Sequence, residues 1–377
     1  MELEKLSLDE HNETRALWEE VFRDDSQEFL DYYYQYKTSN NQIYVMDHKE
    51  TICAMLQLNP YDLVFGNDNF TGHYIIAVAT DPRYRHQGLM SQLLYRSMKD
   101  MYLKKEPFTY LMPAAEAIYT PFGFRYIYDQ RQGMLEGKTH TKETGFILTT
   151  AKSEDLQGLS SYMNRYLKDR YHVYARRSEE YYSILQKELK SEDGDIILIK
   201  REDQLIGSFL YAIGEQIEVR EPIIDKEYRL ELYDEIANYF SDYGKKIHVA
   251  GIPEEGMLKE QELKPMIMAR ILHLPSFVKE IRAEEEITFT LGIEDPILEE
   301  NQGMYQWIIG PKGGRITVSK ESGSSLGLPI HALLSLVFGY KTIEVILEEE
   351  QLSFPEELIL KLKKLLPLSK VFINEIV

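Results

Sequence analysis

The residues whose types and spacing point most clearly to chemistry lie in residues 75–94, the stretch IIAVATDPRYRHQGLMSQLL. An apolar, β-branched run is followed by a turn at residues 82–87, which carries two arginines and a histidine, and then by an amphipathic helix opening at Gly88. The first amides of a helix are unpaired and carry partial positive charge, so a helix start can bind an anion. Gly88 lets a ligand approach the backbone, and Arg85 and His86 add donors. The pattern predicts a site for a phosphate or diphosphate group; the simpler alternative is a solvated surface turn.

The elements around this turn form a mixed pattern of helices and strands over about 140 residues, a common domain size. Apolar residues recur at helical spacing near the N-terminus and again after Ser26, a suitable N-cap residue. Strands are predicted at residues 42–46, 51–58, 72–80 and 108–114, and after Gly123. Turns are predicted at residues 49–50 and 59–69. The basic turn would therefore join the third strand to a helix.

The same order of elements begins again near Gly145, but without the basic turn, since Glu218–Arg220 is followed by Glu-Pro-Ile-Ile-Asp. The last hundred or so residues alternate strand-like runs with apolar helices. The GPKGG stretch at residues 310–314 precedes a strand and lacks the Walker spacing, so we interpret it as a hairpin turn and not as a phosphate loop. We predict an α/β protein with mixed α+β sheets in three domains: residues 1–148, 149–265 and 266–377.

Composition argues against several kinds of partner. The net charge is −19, which disfavours nucleic acid, because phosphate binding needs a basic face, and suits a cationic small substrate. Cys53 is the only cysteine, so neither an intrachain disulfide nor a cysteine-based metal site can form, and we expect no metal and a reducing compartment. The acidic N-terminus does not resemble a signal peptide, and no apolar run approaches the roughly 20 residues that span a bilayer. We therefore expect a cytoplasmic protein with no membrane insertion.

The basic turn and its strand resemble the acyl-CoA loop of the GNAT acetyltransferases, R/Q-x-x-G-x-G/A, with Arg85 and Gly88 at the matching positions. The resemblance implies acetyl-CoA as co-substrate, bound by the strand end and by the loop amides. The positions to which these contacts carry over are Val78, Ala79, Thr80, Arg85, His86, Gln87, Gly88, Leu89, Met90 and Ser91. Met90 departs from the family, which prefers Gly or Ala there, so its side chain either crowds the diphosphate or turns away along the helix.

The downstream segment PAAEAIYTPFGFRYI, residues 113–127, resembles the GNAT segment that carries a tyrosine beside the CoA sulfur. Tyr119 matches that tyrosine, and a phenol with an ordinary pKa near 10 can donate a proton to a departing thiolate. Ala114 and Ala115 match the strand end that touches the cofactor. The chain has 27 tyrosines, so packing is the alternative role for any one of them.

An active GNAT domain, a degenerate repeat of it and a C-terminal domain similar to sterol carrier proteins together resemble the Eis (enhanced intracellular survival) acetyltransferases. In that family the C-terminal carboxylate is the general base, which would here be Val377, and the apolar tail KVFINEIV fits a docked terminus. The resemblance also implies a homo-oligomer, a symmetric hexamer. The implied reaction is direct acetyl transfer to primary amines of aminoglycosides, polyamines or lysine-like molecules.

Four carboxylates are candidates for attracting such an amine: Asp24, Asp25, Glu28 and Glu375. Each of them, taken singly, is more typical of a solvated acidic residue than of a ligand. Cys53 has no positioned histidine, so we expect a core residue and no acyl-enzyme.

Two other functions compete with this one. Cell-wall aminoacyltransferases also carry paired GNAT-like folds, but they use charged tRNA, against which the acidic composition argues. A non-catalytic lipid or small-ligand carrier could be built on the C-terminal domain, but the intact loop and Tyr119 argue against it.

Overall fold

The computed structural model describes residues 1–135, 144–253, 258, 261–319 and 327–377. The first domain alternates helices and strands in the predicted order. Its elements are β1 (Glu2–Lys5), α1 (Arg15–Val21), α2 (Gln27–Tyr36), β2 (Gln42–Asp47), β3 (Ile52–Phe65), β4 (Asp68–Thr80), α3 (Leu89–Leu103), β5 (Phe108–Leu111), α4 (Glu116–Tyr119) and β6 (Arg125–Leu135). Ser26 caps α2 as predicted, because its hydroxyl accepts a hydrogen bond from the Phe29 amide at 3.0 Å.

The second domain repeats most of that order, but a strand lies between its first two helices and no helix is described between its last two strands. Its elements are β7 (Ile147–Thr150), α5 (Leu156–Lys168), β8 (Val173–Ala175), α6 (Glu179–Ser191), β9 (Asp195–Arg201), β10 (Gln204–Ile213), β11 (Ile217–Ile224), α7 (Arg229–Tyr239), β12 (Ile247–Ala250) and β13 (Gln261–Ile271). The predicted turn at residues 59–69 is wrong: β3 continues to Phe65, and a tight turn at Gly66 and Asn67 leads into β4. The extension pairs with β8, a strand more than a hundred residues away, which no local pattern reveals.

One continuous sheet runs through both domains, because their last strands are exchanged. The path is β1-β2-β3-β4-β5-β13-β6-β12-β11-β10-β9-β7. The final strand of the second domain, β13, lies between β5 and β6 of the first, and β6 in turn pairs with β12 of the second. The predicted boundary between residues 265 and 266 falls inside β13. The two domains therefore share a backbone ladder.

The remaining elements form the third domain. They are α8 (Leu274–Val278), β14 (Arg282–Ala283), β15 (Ile287–Glu294), β16 (Gly303–Gly310), β17 (Gly313–Val318), β18 (Gly327–Pro329), α9 (Ile330–Val337), α10 (Ile343–Glu349), α11 (Glu356–Leu362), β19 (Leu365–Leu366) and β20 (Val371–Phe372). The predicted hairpin at residues 310–314 is confirmed, since Gly310 pairs with Gly313 between β16 and β17. The α/β fold class with mixed sheets is confirmed as well.

The third domain packs on the first through shared aromatic side chains. Phe65 of β3 lies 5.1 Å from Phe108 and 5.2 Å from Phe277 of α8, measured between ring centroids. Phe338, which follows α9, stacks on Phe65 at 6.3 Å. These rings belong to one hydrophobic core that spans both domains. In the described part of the chain, no helix is both long and apolar enough to cross a membrane.

Candidate active site

Strands β4 and β5 diverge and open a cleft at the centre of the first domain. They run parallel, and their ladder contains the single pair Tyr74 with Tyr110. Just beyond this pair, β4 carries a bulge: Met55 faces Ala79 and Gln57 faces Ile76, so two residues of β4 lie opposite one residue of β3.

Ala77, in the bulge, has a φ of +51°, a left-handed conformation that is costly for a residue other than glycine. A bulge leaves its extra residue outside the ladder. The predicted cofactor residues Val78, Ala79 and Thr80 follow it directly, along the open edge of the cleft. The backbone here can therefore contact an extended ligand.

The basic turn folds over the start of α3. Asp81 accepts a hydrogen bond from the Arg83 amide at 2.8 Å, and the Arg85 guanidinium donates to the Thr80 carbonyl at 3.3 Å. His86 and Gly88 both have left-handed φ values, +62° and +72°. A Cβ added to Gly88 would meet no atom within 4 Å, so the space in front of the helix is open.

The predicted residues His86 and Gln87 are exposed in this turn, and Leu89 and Ser91 lie in the first turn of α3. The side chain of Met90 packs against the hydrophobic core. It therefore does not occupy the turn. Of the two predicted alternatives, the Met90 side chain turns away and does not crowd the position expected for the diphosphate. Unpaired amides at the start of a fifteen-residue helix, together with nearby basic side chains, can hold a diphosphate.

Tyr119 lies at the end of α4, in the segment that follows β5. The carboxyl ends of parallel β4 and β5 lie at the same edge of the sheet, so Tyr119 and the basic turn share that edge. Its ring packs edge-to-face on Phe124 at 5.9 Å, and burial raises the pKa of its hydroxyl to about 12. Within the described residues this hydroxyl makes no hydrogen bond. Ala114 and Ala115 are exposed between β5 and α4.

The C-terminal tail docks beside the same domain. Its strand β20 pairs in parallel with β8, and a terminal oxygen of Val377 accepts a hydrogen bond from the Tyr61 hydroxyl. The same hydroxyl accepts a hydrogen bond from the Lys37 ammonium at 2.6 Å. The Val377 side chain packs against the apolar cluster that contains Ala77 and Ala79 of the bulged strand. The terminus thus lies on the face of the sheet covered by α1 and α2.

A cavity of about 350 Å³ surrounds this terminus, between the end of α2, β3 and α6. Its lining carries the carboxylates of Asp62, Glu180, Glu188 and Glu375, in addition to Val377, but only two cations, Lys37 and Arg176. Burial raises the pKa of Glu188, whose carboxylate accepts a hydrogen bond from the Tyr32 hydroxyl at 3.1 Å. Five carboxylates thus line the cavity beside two cations, and the carboxylate of Glu375 is paired with the buried Arg177.

Of the four predicted acceptor carboxylates, the structure brings only Glu375 to this cavity. Asp24 and Asp25 are exposed between α1 and α2, Glu28 is exposed in the first turn of α2, and none of the three is among the lining residues. The Asp25 carboxylate accepts a hydrogen bond from the Trp18 indole at 2.7 Å. Sequence reasoning missed Lys37, Tyr61 and Glu188, because nothing near them in the sequence distinguishes them from packing residues.

Cys53 is fully buried in β3, where its thiol donates to the Thr51 carbonyl at 3.3 Å, and burial raises its pKa. A buried thiol with a raised pKa is a poor nucleophile.

Two parts of the chain match known family models. Residues 2–127 match the acetyltransferase (GNAT) domain, and residues 274–374 match the sterol carrier protein domain. The chain thus combines a segment that matches the acetyltransferase (GNAT) domain with a segment that matches the sterol carrier protein domain.

Solved structures with a similar fold cover the chain almost completely. A conserved protein of unknown function from Enterococcus faecalis V583, described as a probable N-acyltransferase, has a TM-score of 0.81 at 19% identity over 100% of this chain and 99% of that chain. A GCN5-related N-acetyltransferase from Anabaena variabilis has a TM-score of 0.82 at 15% identity over 100% of both chains. Eis1 from Mycobacterium abscessus has a TM-score of 0.68 at 12% identity over 97% of both. The predicted Eis-type fold is therefore confirmed. No curated protein matches the sequence.

Proposed function

We propose that the chain is an acetyl-CoA-dependent N-acetyltransferase that acetylates primary amines of cationic small molecules. The observation that carries this proposal is the cleft between β4 and β5, with the left-handed bulge at Ala77 on one side and the glycine-started helix α3 at its end. An extended amide-bearing arm can pair with the open backbone of residues 78–80, and a diphosphate can be held by the amides of residues 85–91. Both features suit acetyl-CoA.

We assign the role of general base to Val377 and that of general acid to Tyr119. The Val377 carboxylate accepts a proton from the incoming ammonium, directly or through water, and the amine nitrogen attacks the thioester carbonyl carbon. The Val78 amide donates to the carbonyl oxygen as negative charge develops on it. The carbon–sulfur bond then breaks, and Tyr119 gives its proton to the departing thiolate. The amine nitrogen loses its second proton to water, which leaves a neutral amide, and the Tyr119 phenolate takes a proton back from water. Its pKa of about 12 keeps the phenol protonated at neutral pH.

The acceptor would enter the cavity around Val377. Its acidic lining favours ammonium groups, because a buried or partly buried carboxylate attracts opposite charge strongly where water is scarce. Asp62, Glu180 and Glu188 are candidates for this attraction, whereas the predicted Glu375 is buried and already paired with Arg177. The predicted Asp24, Asp25 and Glu28 would act only from a distance, by attracting cations toward the first domain.

The test is release of the free CoA thiol from acetyl-CoA by the purified chain, with a panel of aminoglycosides, polyamines and lysine-bearing peptides. Release with some amines and not with others is expected. Deletion of Val377 and Tyr119→Phe should each lower the rate without abolishing acetyl-CoA binding in calorimetry. No release with any amine at saturating acetyl-CoA would contradict the proposal. A lipid bound to the purified chain, with no affinity for acetyl-CoA, would favour the carrier function.

We also propose that the chain acts in the cytoplasm as a homo-oligomer, a hexamer. The single cysteine and the Eis-type domain organisation support this. Light scattering coupled to size-exclusion chromatography tests the assembly, with a mass six times 44.2 kDa expected and a monomer mass contradicting it.

A further inference from the structure

The second domain keeps the backbone bulge of the first, although it lacks the basic turn. Between β10 and β11, Ser208 pairs with Ile223 and Leu210 pairs with Arg220. Two residues of β11 therefore lie opposite one residue of β10. Glu221 lies in this bulge with a φ of +49°, close to the +51° of Ala77. As in the first domain, the bulged strand has a parallel neighbour, β12, and their pairing ends at Arg220 and Ala250.

The place beyond this last pair is filled by the C-terminal tail. The Asn374 amide donates to the Glu221 carboxylate at 2.9 Å. A Cβ added to Gly251, the residue after β12, would lie 3.2 Å from the Asn374 side-chain nitrogen and 3.4 Å from Glu221. The side-chain oxygen of Asn374 accepts hydrogen bonds from the Tyr128 hydroxyl at 3.1 Å and from the Gln130 side-chain amide at 2.9 Å. The tail is thus bound where the first domain leaves its two strands open.

A fully buried arginine completes this contact. Arg177, between β8 and α6, donates to Glu221 at 2.8 Å and forms an ion pair with Glu375. Glu375 also accepts from the Tyr181 hydroxyl at 3.0 Å. The side chains of Arg177, Glu221 and Glu375 are at most 7% exposed. A buried ion is unfavourable without its partners, so Arg177 and Glu221 favour the conformation in which the tail is docked.

We propose that the second domain is a binding site for the chain's own C-terminal segment, in which Arg177, Glu221 and Gly251 hold Asn374 and Glu375 and so position the carboxylate of Val377. Only two residues follow Glu375, so the carboxylate lies within roughly 7 Å of chain from the held segment. The part of the proposal that concerns catalysis rests on the proposed function, which assigns the role of general base to the Val377 carboxylate. Arg177, Glu221 and Asn374 are positioning residues.

The experiment measures tail release and acetyl transfer separately. Carboxypeptidase Y is added to the native chain, and the liberated valine and isoleucine are quantified over time in wild type, Asn374→Ala and Glu221→Gln. Glu215→Gln, at an exposed loop position of the same domain, is the matched control. Release should be slow in wild type and control, and about tenfold faster in both tail-site variants. Asn374→Ala loses its hydrogen bond to the Glu221 carboxylate, and Glu221→Gln loses the charge that pairs with Arg177.

Acetyl transfer is measured by steady-state kinetics with an amine that the wild type acetylates. In both tail-site variants kcat should fall by a similar factor while the KM for acetyl-CoA stays within about twofold, because the acyl-CoA cleft is untouched. A general loss of folding would change both constants and the circular dichroism spectrum.

Two results would overturn the proposal: rapid valine release from the wild type, or equal release from wild type and from the folded variants. The wild-type measurement decides even if a variant does not fold. Absence of acetyl transfer with normal protection of the tail would count against the proposed function and not against the tail site.

Discussion

The hydroxyl of Tyr61 donates a hydrogen bond to the terminal oxygen of Val377, 316 positions away in the sequence. The same hydroxyl accepts a hydrogen bond from Lys37, whose pKa is lowered by burial. A hydroxyl held between an ammonium and a carboxylate fixes the direction of the carboxylate oxygen. This geometry links the last residue of the chain to the central sheet of the first domain.

Tyr61→Phe should therefore lower kcat about tenfold, since a hydrogen bond to a charged group is lost while the ring remains. The KM for acetyl-CoA should not change, because Tyr61 is not at the acyl-CoA cleft. Steady-state kinetics with acetyl-CoA varied at saturating amine measures both constants. Tyr243→Phe, at an exposed position of the second domain, is the control, and equal kcat values for the two variants would contradict a role for Tyr61.

Gly88→Ala should raise the KM for acetyl-CoA several-fold, because a left-handed φ costs a residue with a Cβ about 1–2 kcal/mol and the loop amides would move to relieve it. Gly244→Ala is a matched control: its φ is +63°, a Cβ there also meets nothing within 4 Å, and it lies far from the cleft in sequence. Both variants should lose similar amounts of unfolding free energy in urea. If Gly244→Ala raised the KM equally, the effect would be one of stability and not of binding.

The chain should lose stability as pH rises through the range from about 10 to 12. Unfolded tyrosines titrate near pH 10, whereas burial raises the pKa of Tyr119 to about 12 and raises that of Tyr74 further. Between these values the unfolded state has released protons that the folded state retains, so the free energy of unfolding falls with increasing pH. Urea unfolding at pH 8, 9, 10 and 11 measures this, and a constant free energy across that series would contradict it. In Tyr119→Phe, the slope of the unfolding free energy against pH should become shallower by the contribution of at most one proton.

Phe277→Ala should lower the free energy of unfolding by about 3–5 kcal/mol, because it removes a fully buried ring that touches Phe65 and Phe338. Since these rings join the first and third domains, the two should unfold in a single transition in the wild type. Differential scanning calorimetry measures both quantities. Leu230→Ala, at a side chain that is 90% exposed, should change stability by less than about 0.5 kcal/mol. Separate transitions for the two domains would contradict a shared core.

The basic turn could be predicted because its signals are local. A strand, a basic turn and a helix that starts at Gly88 occupy twenty consecutive residues, and the structure places them as their spacing indicates. The N-cap at Ser26 and the hairpin at residues 310–314 are local in the same sense. Each depends on hydrogen bonds between residues a few positions apart.

The acceptor cavity could not be predicted, because its residues meet only through long-range packing. Lys37, Tyr61 and Glu188 come from three distant segments, and each has the character of an ordinary helix or strand residue in its own segment. The length of β3 was misjudged for the same reason, since β8 stabilises its second half. The carboxylates expected from proximity to the first helices, Asp24, Asp25 and Glu28, lie outside the cavity, because they are at the start of α2 and the cavity is at its end.

The exchange of β6 and β13 has a consequence for biosynthesis. A nascent chain that has emerged only as far as residue 148 has β5 and β6 but lacks the strand that joins them, so it presents two open strand edges. Such edges pair readily with other chains. The sheet of the first domain is completed only when residue 271 has left the ribosome. Folding of the first domain therefore waits for the synthesis of the second.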